Sequence, residues 1–177
     1  MTRAGTGRGV RIDKRPGSPA AGSYGHPIHP ILVTVPIGAW IASLVFDIAS
    51  QVVDDGAATY NQGAELLVAI GVIGAALAAV FGLLDYLRIE RGTPAFKVGT
   101  THLLINDVVL VAFVVSWIIR RNADDEATSG GLIALSVVAL ALLSVSGWLG
   151  GKLSYRYGVR VVDEDTQAEG FRPARPR

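Results

Sequence analysis

The chain has no cysteine, and it has few histidines, aromatic residues and charged residues for its 177 positions. Without a thiol it can form no disulfide, thiolate nucleophile, cysteine-ligated cluster or covalent c-type haem link. Only 18% of its residues are charged and 7% aromatic, whereas half are hydrophobic and 21 are glycine. The apolar content is therefore mainly Ala, Val, Leu and Ile, in a chain long enough for one ordinary domain.

Charge is nearly absent from four long segments. Each is long enough, at about 1.5 Å per residue, to cross roughly 30 Å of hydrocarbon as a helix. A soluble bundle of four buried helices is the alternative, but it would leave too little polar surface to meet water. Short connections make consecutive helices antiparallel. The sequence thus predicts an all-α, integral-membrane, up-down-up-down four-helix bundle with spans at about 30–49, 64–84, 102–119 and 132–150.

The distribution of basic residues predicts the orientation. Of 16 Lys and Arg residues, only Arg120 and Arg121 fall in the connections after the first and third spans. The positive-inside rule then places both termini in the cytoplasm. We expect a disordered cytoplasmic arm over 1–23, a membrane domain over 24–157 and a cytoplasmic tail over 158–177. The net charge of +1 averages two unlike faces and predicts no nucleic-acid partner.

Two of the three histidines open the first span, in the stretch GHPIHPILVTVPIGAW. His26 and His29 each precede a proline, which pushes the preceding residue toward extended backbone. HPIHP therefore predicts a stiff extended segment, with Pro30 at the first helical position. His102 starts the third span, which runs in the same direction as the first. All three imidazoles are expected at one depth, near the cytoplasmic boundary.

This histidine layer has several interpretations. It is a polar cluster that satisfies helix ends, a haem b site ligated by His102 with His29 or His26, or a divalent metal site formed by the three histidines and Asp85 of the second span. Neutral imidazole, favoured at a helix N-terminus, is the ligating form. The outer half of the bundle has no histidine, so one haem is the most that fits.

Asn106, Asp107 and Asp47 are notable polar side chains inside the spans. A carboxylate in hydrocarbon is costly, so Asp107 is expected to face the bundle interior and hydrogen-bond a partner such as His29, Thr34 or Asn106. Asp47 is at the opposite end of the first span from His29. The two aspartates would form the proton path of a small transporter, although no inverted repeat or broken helix pair accompanies them.

Small residues recur at three- and four-residue steps on the second and fourth spans. Such stripes let helix backbones approach closely in lipid. A contact in a homodimer through one of these faces is the alternative. We expect close helix packing at Gly71, Gly74, Gly82, Gly147, Gly150 and Gly151.

Four stretches, HPIHPILVTVPIGAW, FGLLDY, GTTHLLIND and SGWLGGKLSYRYGVRVV, resemble an uncharacterised bacterial family of four-helix membrane proteins, a domain of unknown function. The resemblance covers roughly residues 25–162. It implies a bacterial inner-membrane location. Because relatives sometimes carry a Rieske or cytochrome domain, it also implies a redox neighbourhood. The positions carried over are His26, His29, Asp85, His102 and the Gly150–Gly151 pair.

No GxSxG, P-loop, HExxH or dinucleotide fingerprint appears, so the sequence predicts no enzyme. It favours a non-catalytic structural or assembly subunit of a membrane complex, linked to redox chemistry only through the resemblance. A single-haem or metal-binding redox protein and a small proton-coupled transporter remain the alternatives. The expected partners are the lipid bilayer and either a membrane protein complex or a second copy of the chain.

Overall fold

The computed structural model describes residues 11–123 and 127–172. Two 3₁₀ turns and a short β-hairpin precede a short first helix. This helix continues through Val33 into the first of four long helices, which make up most of the chain. The bounds are Ile12–Lys14 and Pro19–Ala21 for the 3₁₀ turns, Gly22–Ser23 (β1), His26–Pro27 (β2), His29–Leu32 (α1), Thr34–Val52 (α2), Ala57–Tyr86 (α3), Pro94–Arg121 (α4), Gly130–Gly151 (α5), Lys152–Arg156 (a π-helical turn) and Glu164–Glu169 (α6).

The helices are longer than the apolar runs that predict them, because the polar flanks are also helical. At the start of α4, Thr93 accepts a hydrogen bond from the Phe96 amide at 3.1 Å, and Pro94 occupies the first turn. At the first span the expected extended segment is only His26–Pro27. Ile28 already has helical angles and His29 begins α1, so Pro30 is the second helical residue, not the first.

The long helices pack in sequence order, and α2 also contacts α5 to close the bundle. Trp40 of α2 stacks on Phe113 of α4 at the centre, with ring centroids 4.1 Å apart and planes 8° apart. Val68, Val109 and Ala139 complete this core. The predicted fold class, a four-helix bundle, is confirmed. The cytoplasmic placement of its termini stays a prediction.

The outward surface of the bundle is apolar. Four helical segments are long and apolar enough to cross a membrane, with mean hydropathies of 2.0 to 2.6. Only 17% to 28% of the most apolar window of each segment is buried within the molecule. Since large aliphatic side chains such as Leu66, Ile73 and Val111 are more than 60% exposed, lipid is the solvent that this surface requires.

Four of the predicted glycines lie against neighbouring side chains. A Cβ at Gly71 would overlap the Trp40 ring, and one at Gly74 would lie 2.8 Å from Val35 Cγ1. Gly82 and Gly150 each lie against a histidine ring. Because these glycines have no side chain, a large side chain from a neighbouring helix can occupy the space beside their backbone.

The prediction of close packing needs correction at Gly147. A Cβ there would meet nothing within 4 Å. Gly151 is likewise distant from the other helices, because a Cβ at this position would meet only Tyr155 of the following turn. Gly147 faces outward, since Ser146, Leu149 and Gly150 already occupy the inward side of α5 at this depth.

We expect Gly71→Ala to destabilise the bundle, because its methyl group would displace the Trp40 ring from its stack on Phe113. Overpacking of this kind costs about 1–3 kcal/mol. Gly147→Ala is the matched control. It adds the same methyl group to an open helical position and should be neutral or slightly stabilising. Unfolding in SDS titrations of the purified protein measures both, and equal effects would contradict the packing assignment.

The expected disorder of the arm and tail also needs correction, for residues 11–23 and 158–172. The Arg160 amide donates to the Asp13 carbonyl at 3.0 Å. Lys14 Nζ donates to the carbonyls of Val161 and Val162 at 3.3 and 3.2 Å. Composition indicates nothing of these contacts, because they join segments about 147 positions apart. Residues 1–10 and 173–177 lie outside the described residues.

A tyrosine–aspartate contact closes this arm–tail layer. The Tyr24 hydroxyl donates to Asp163 Oδ2, and the Asp163 amide donates back to the hydroxyl oxygen at 2.9 Å. Two hydrogen bonds lower the pKa of the Asp163 carboxyl from its usual 3.8 to about 2. The bond from the Tyr24 hydroxyl has the larger effect, and the bond from the Thr166 amide has the second largest. The contact is therefore fully formed at neutral pH.

Because the pKa of Asp163 is lower in the folded chain, the contact stabilises fully above about pH 4 and is lost as pH falls through about 2. Tyr24→Phe should raise the pKa of Asp163 toward its ordinary value. Titration of the Asp163 side-chain carbon by NMR measures this. Tyr155→Phe, at a 93% exposed ring, is the control and should leave the pKa unchanged. An unshifted Asp163 in Tyr24→Phe would contradict the assignment.

Candidate functional site

Two of the three histidines face each other inside the bundle. His29 of α1 and His102 of α4 have ring centroids 6.4 Å apart, with the rings nearly perpendicular at 88°. His26 is on the exposed strand β2, outside the bundle. The extended backbone at His26 and the helix that begins at His29 separate the two neighbours in sequence. The structure thus brings together two imidazoles of the predicted three.

Both imidazoles occupy the same kind of notch. His29 Nδ1 lies 2.9 Å from the Ala78 carbonyl oxygen, and His102 Nδ1 lies 2.8 Å from that of Ser146. In each case the residue four positions later is a glycine. A helical carbonyl points toward the residue four positions on, so the missing side chain at Gly82 and Gly150 leaves room for the ring.

These hydrogen bonds indicate the tautomer. A carbonyl oxygen can only accept, so Nδ1 of each ring carries the hydrogen and Nε2 keeps its lone pair. His102 Nε2 lies 3.2 Å from Nδ2 of Asn106, one helical turn above it. Asn106 Nδ2 is also 2.6 Å from the Ser146 hydroxyl oxygen. The Asn106 side chain thus links His102 to α5 in one polar cluster.

Asp85 was predicted to bind a metal ion together with the histidines. Instead, it contacts Arg160 of the tail. Its Oδ1 is 2.8 Å from Nε of Arg160, and both side chains are nearly buried. The Nε–H direction is poorly aligned with this contact, so it is an ion pair without a well-formed hydrogen bond. Nη2 of Arg160 donates to the Ala21 carbonyl at 2.8 Å. This arginine ties α3 to both chain ends.

The predicted metal site therefore does not assemble as proposed. In residues 11–123 and 127–172, no three His, Cys, Asp or Glu side chains are grouped to hold a metal ion. His26 is outside the bundle and Asp85 is paired with an arginine. What remains of the predicted layer is the facing pair His29 and His102, with Asn106 beside it.

A second polar cluster lies at the other end of the bundle. Arg120 of α4 forms a two-pronged ion pair with Asp47 of α2, at 2.8 Å (Nη1 to Oδ1) and 2.9 Å (Nη2 to Oδ2). The Arg120 side chain is 2% exposed and that of Asp47 is 0% exposed. Thr128 donates to Asp47 Oδ1 at 2.9 Å, and Arg120 Nε donates to the Ser116 hydroxyl at 3.2 Å. Every charge in the cluster has a partner.

The role of Arg120 was not predicted from the sequence, in which it falls in a connection between spans. One signal could have found it. First and third spans run in the same direction, and Asp47 and Arg120 are each 18 positions after the histidine that opens their span. Opposite charges at equal depth on two parallel helices predict an ion pair.

A separation of 73 positions between contacting residues recurs along the whole bundle. Asp47 and Arg120 are 73 positions apart. So are the stacked rings of Trp40 and Phe113, and so are the facing rings of His29 and His102. With the matching notches at Gly82 and Gly150, these contacts divide the bundle into two similar helical hairpins, α1–α3 and α4–α5. Contacts between equivalent residues place the hairpins around an axis along the bundle.

Asp107 is not where the sequence predicted it. It is exposed on the outward side of α4, whereas Asn106 and Val109 occupy the inward side at that depth. It has no hydrogen bond or ion pair with His29, Thr34, Asn106 or any other described residue. Thr34 satisfies its own hydroxyl by donating to the Ile31 carbonyl at 2.7 Å. The expected interior role of Asp107 is therefore corrected.

We expect Arg120→Met to destabilise the protein by about 3–5 kcal/mol, because it leaves the buried Asp47 carboxylate without its counter-ion. The double variant Asp47→Leu/Arg120→Met should recover most of the loss, since no buried charge remains. Arg121→Met, at the exposed neighbour that lies over Trp117, is the matched control and should cost less than about 1 kcal/mol. SDS-induced unfolding provides the comparison, and a double variant no better than Arg120→Met would contradict it.

The comparisons with known proteins agree with the bundle and leave its chemistry open. Residues 25–163 match the family described as "Predicted membrane protein (DUF2231)". No curated protein and no solved structure matches the chain. The matched region begins before His26 and extends past Arg160, so it includes the four long helices and both polar clusters, and the resemblance seen in the sequence is confirmed. The chain belongs to the DUF2231 family of predicted membrane proteins.

Proposed function

We propose that this protein is a non-catalytic structural or assembly subunit of a complex in the bacterial inner membrane, with both termini in the cytoplasm. The observation that supports this most is how the interior polar groups are used. His29 and His102 donate to backbone carbonyls, and Asp47 is paired with Arg120. A substrate site needs polar groups that are free to bind, whereas these groups hold helices together.

The orientation rests on the basic residues. Fourteen of the 16 Lys and Arg residues would be cytoplasmic, and the two exceptions are adjacent. One of them, Arg120, is neutralised inside the bundle by Asp47, so it adds little to the outer charge. The positive-inside rule counts Lys and Arg residues near the ends of the spans, so this 14-to-2 distribution supports the cytoplasmic placement of both termini.

The test is the state of the protein after mild extraction from its native membrane. We expect it to migrate with other subunits in native electrophoresis, at a mass well above that of one chain. His102→Ala should lower stability by about 1–3 kcal/mol, through the lost bond to Ser146 and the unpaired Asn106, and should leave visible absorbance unchanged. His26→Ala, at the exposed histidine, is the control. Migration as a single chain would overturn the proposal.

A haem-binding redox protein is the second candidate, supported by one specific observation. Ligating histidines usually donate Nδ1–H to a carbonyl or carboxylate and present Nε2 to the metal. His29 and His102 both have this hydrogen bond and face each other across the bundle. The fit is incomplete, because Asn106 lies against His102 Nε2 and would have to move. When bound, a haem would supply one-electron transfer.

Absorbance of the purified protein with metal analysis separates the two candidates. A Soret band that His29→Ala and His102→Ala both abolish, but His26→Ala does not, would establish haem ligation and displace the structural proposal. Proton transport has less support. Asp47 is held by Arg120, and Asp107 lies on the outer surface, so the two carboxylates do not form one path.

A further inference from the structure

Asp107 lies near the middle of the candidate membrane span Pro94–Arg121. In α4 it is ten residues after Lys97 and fourteen before Arg121. At about 1.5 Å per residue, these basic residues lie roughly 15 Å below and 21 Å above it. A hydrocarbon layer of about 30 Å, set between them, would contain Asp107 more than one helical turn from either boundary.

The surroundings of Asp107 on the outward face of α4 are apolar. Leu104 and Val108 are each 57% exposed and Val111 is 61% exposed. Asp107 itself is exposed, and among the described residues it has no hydrogen-bond or ion-pair partner. A lone carboxylate here would meet only acyl chains, which can neither donate a hydrogen bond nor balance its charge. The isolated chain therefore leaves an unfavourable group on its surface.

The equivalent position in the first hairpin shows how a lipid-facing polar side chain can be satisfied within the chain. Thr34 is related to Asp107 by the same 73-position separation as the Asp47–Arg120 pair, and it is also exposed. Its hydroxyl donates to the Ile31 carbonyl at 2.7 Å. An ionised carboxylate has only acceptors and cannot make this bond. To stay ionised at this position, Asp107 needs a donor from outside the chain.

A second copy of the chain does not supply that donor. Two copies docked through this face about an axis along the membrane normal would place Asp107 opposite Asp107, and the like charges would repel. The basic residues in the described spanning segments lie near the ends of their helices, namely Lys97, Arg120, Arg121, Lys152 and Arg156. None of them is at the depth of Asp107. Charge complementarity therefore favours a different protein.

We propose that Asp107 marks a docking face for a spanning helix of another membrane protein, and that this partner helix carries an arginine or lysine at the same depth. The bundle already contains such a pair in Asp47 and Arg120, where a two-pronged contact neutralises both charges away from water. Leu104, Val108 and Val111 provide the apolar contact around the charge. The inference rests on the proposed role as an assembly subunit and names the chemistry of its partner.

The test measures association of the full chain with designed helices in phosphatidylcholine vesicles. One helix is polyleucine with a single central arginine, and its matched control has leucine at that position. Energy transfer between labelled helix and labelled protein reports binding. We expect the arginine helix to bind the native chain about tenfold more tightly than it binds Asp107→Leu. The all-leucine helix should not distinguish the two.

Asp107→Leu faces lipid and should fold, which its unfolding curve in SDS will verify. Thr34→Leu, at the equivalent position, is the positional control and should bind the arginine helix as the native chain does. Equal binding of the arginine helix to the native chain and to Asp107→Leu would overturn the docking face. So would self-association of two differently labelled copies that Asp107→Leu abolishes.

These outcomes are separate from those of the proposed function. Migration of the native protein as a single chain would remove the assembly role, whatever the designed helix does. Loss of arginine preference in the vesicles would remove Asp107 as the docking point, even if the native protein migrates in a large complex through another surface. Each readout therefore decides its own proposal.

Discussion

The ion pair between Asp47 and Arg120 is the contact on which the arrangement of the first and third spans most depends. Neither charge is tolerable alone at a site that is 0% to 2% exposed, so the helices must be at the depth and rotation that bring the two side chains together. Once this pair is formed, Trp40 meets Phe113 and His29 meets His102 further along the same two helices. One electrostatic requirement thus determines the register of three successive layers.

The two-hairpin arrangement explains why these layers coincide. In each hairpin a histidine of the first span enters a glycine notch on the second span, His29 at Gly82 and His102 at Gly150. Each then contributes one aromatic ring and one charged residue to the contact with the other hairpin. Asp47 and Arg120 carry opposite charges, whereas two aspartates or two arginines in this layer would repel. Parallel repeats about an axis along the membrane normal are a known way to build membrane bundles. Here the axis passes through packed side chains.

At the opposite end, residues 11–23 and 158–172 complete the bundle. The ion pair of Asp85 with Arg160 joins α3 to the tail, and the bond from Arg160 to the Ala21 carbonyl joins the tail to the arm. Next to Arg160 in the chain, Val159 packs with Ile89 and Ala95 in a small second core. The backbone of Arg160 has a φ of 60°, a left-handed conformation that directs its side chain back toward α3. The contact compensates for this less favourable backbone. The described parts of the arm and tail, residues 11–23 and 158–172, are therefore part of the folded unit.

The number of spans, their helical nature and their lipid environment could all be read from the sequence, because they depend on local hydrophobicity and length. The equal depth of His29 and His102 followed from the topology. Their contact was predicted only in part, because His26 was expected in the same cluster. What the sequence could not decide was the rotation of each helix about its axis. Helices that are apolar on nearly every side carry no stripe that indicates the inward face. Tertiary packing alone therefore decided that Asp107 points outward, that Gly150 packs while Gly147 does not, and that His26 stays outside, whereas the spacing of Asp47 and Arg120 already indicated their pairing. Each of these outcomes depends on which side chains of a neighbouring helix occupy the space at that depth, and that information is held in residues distant in the chain.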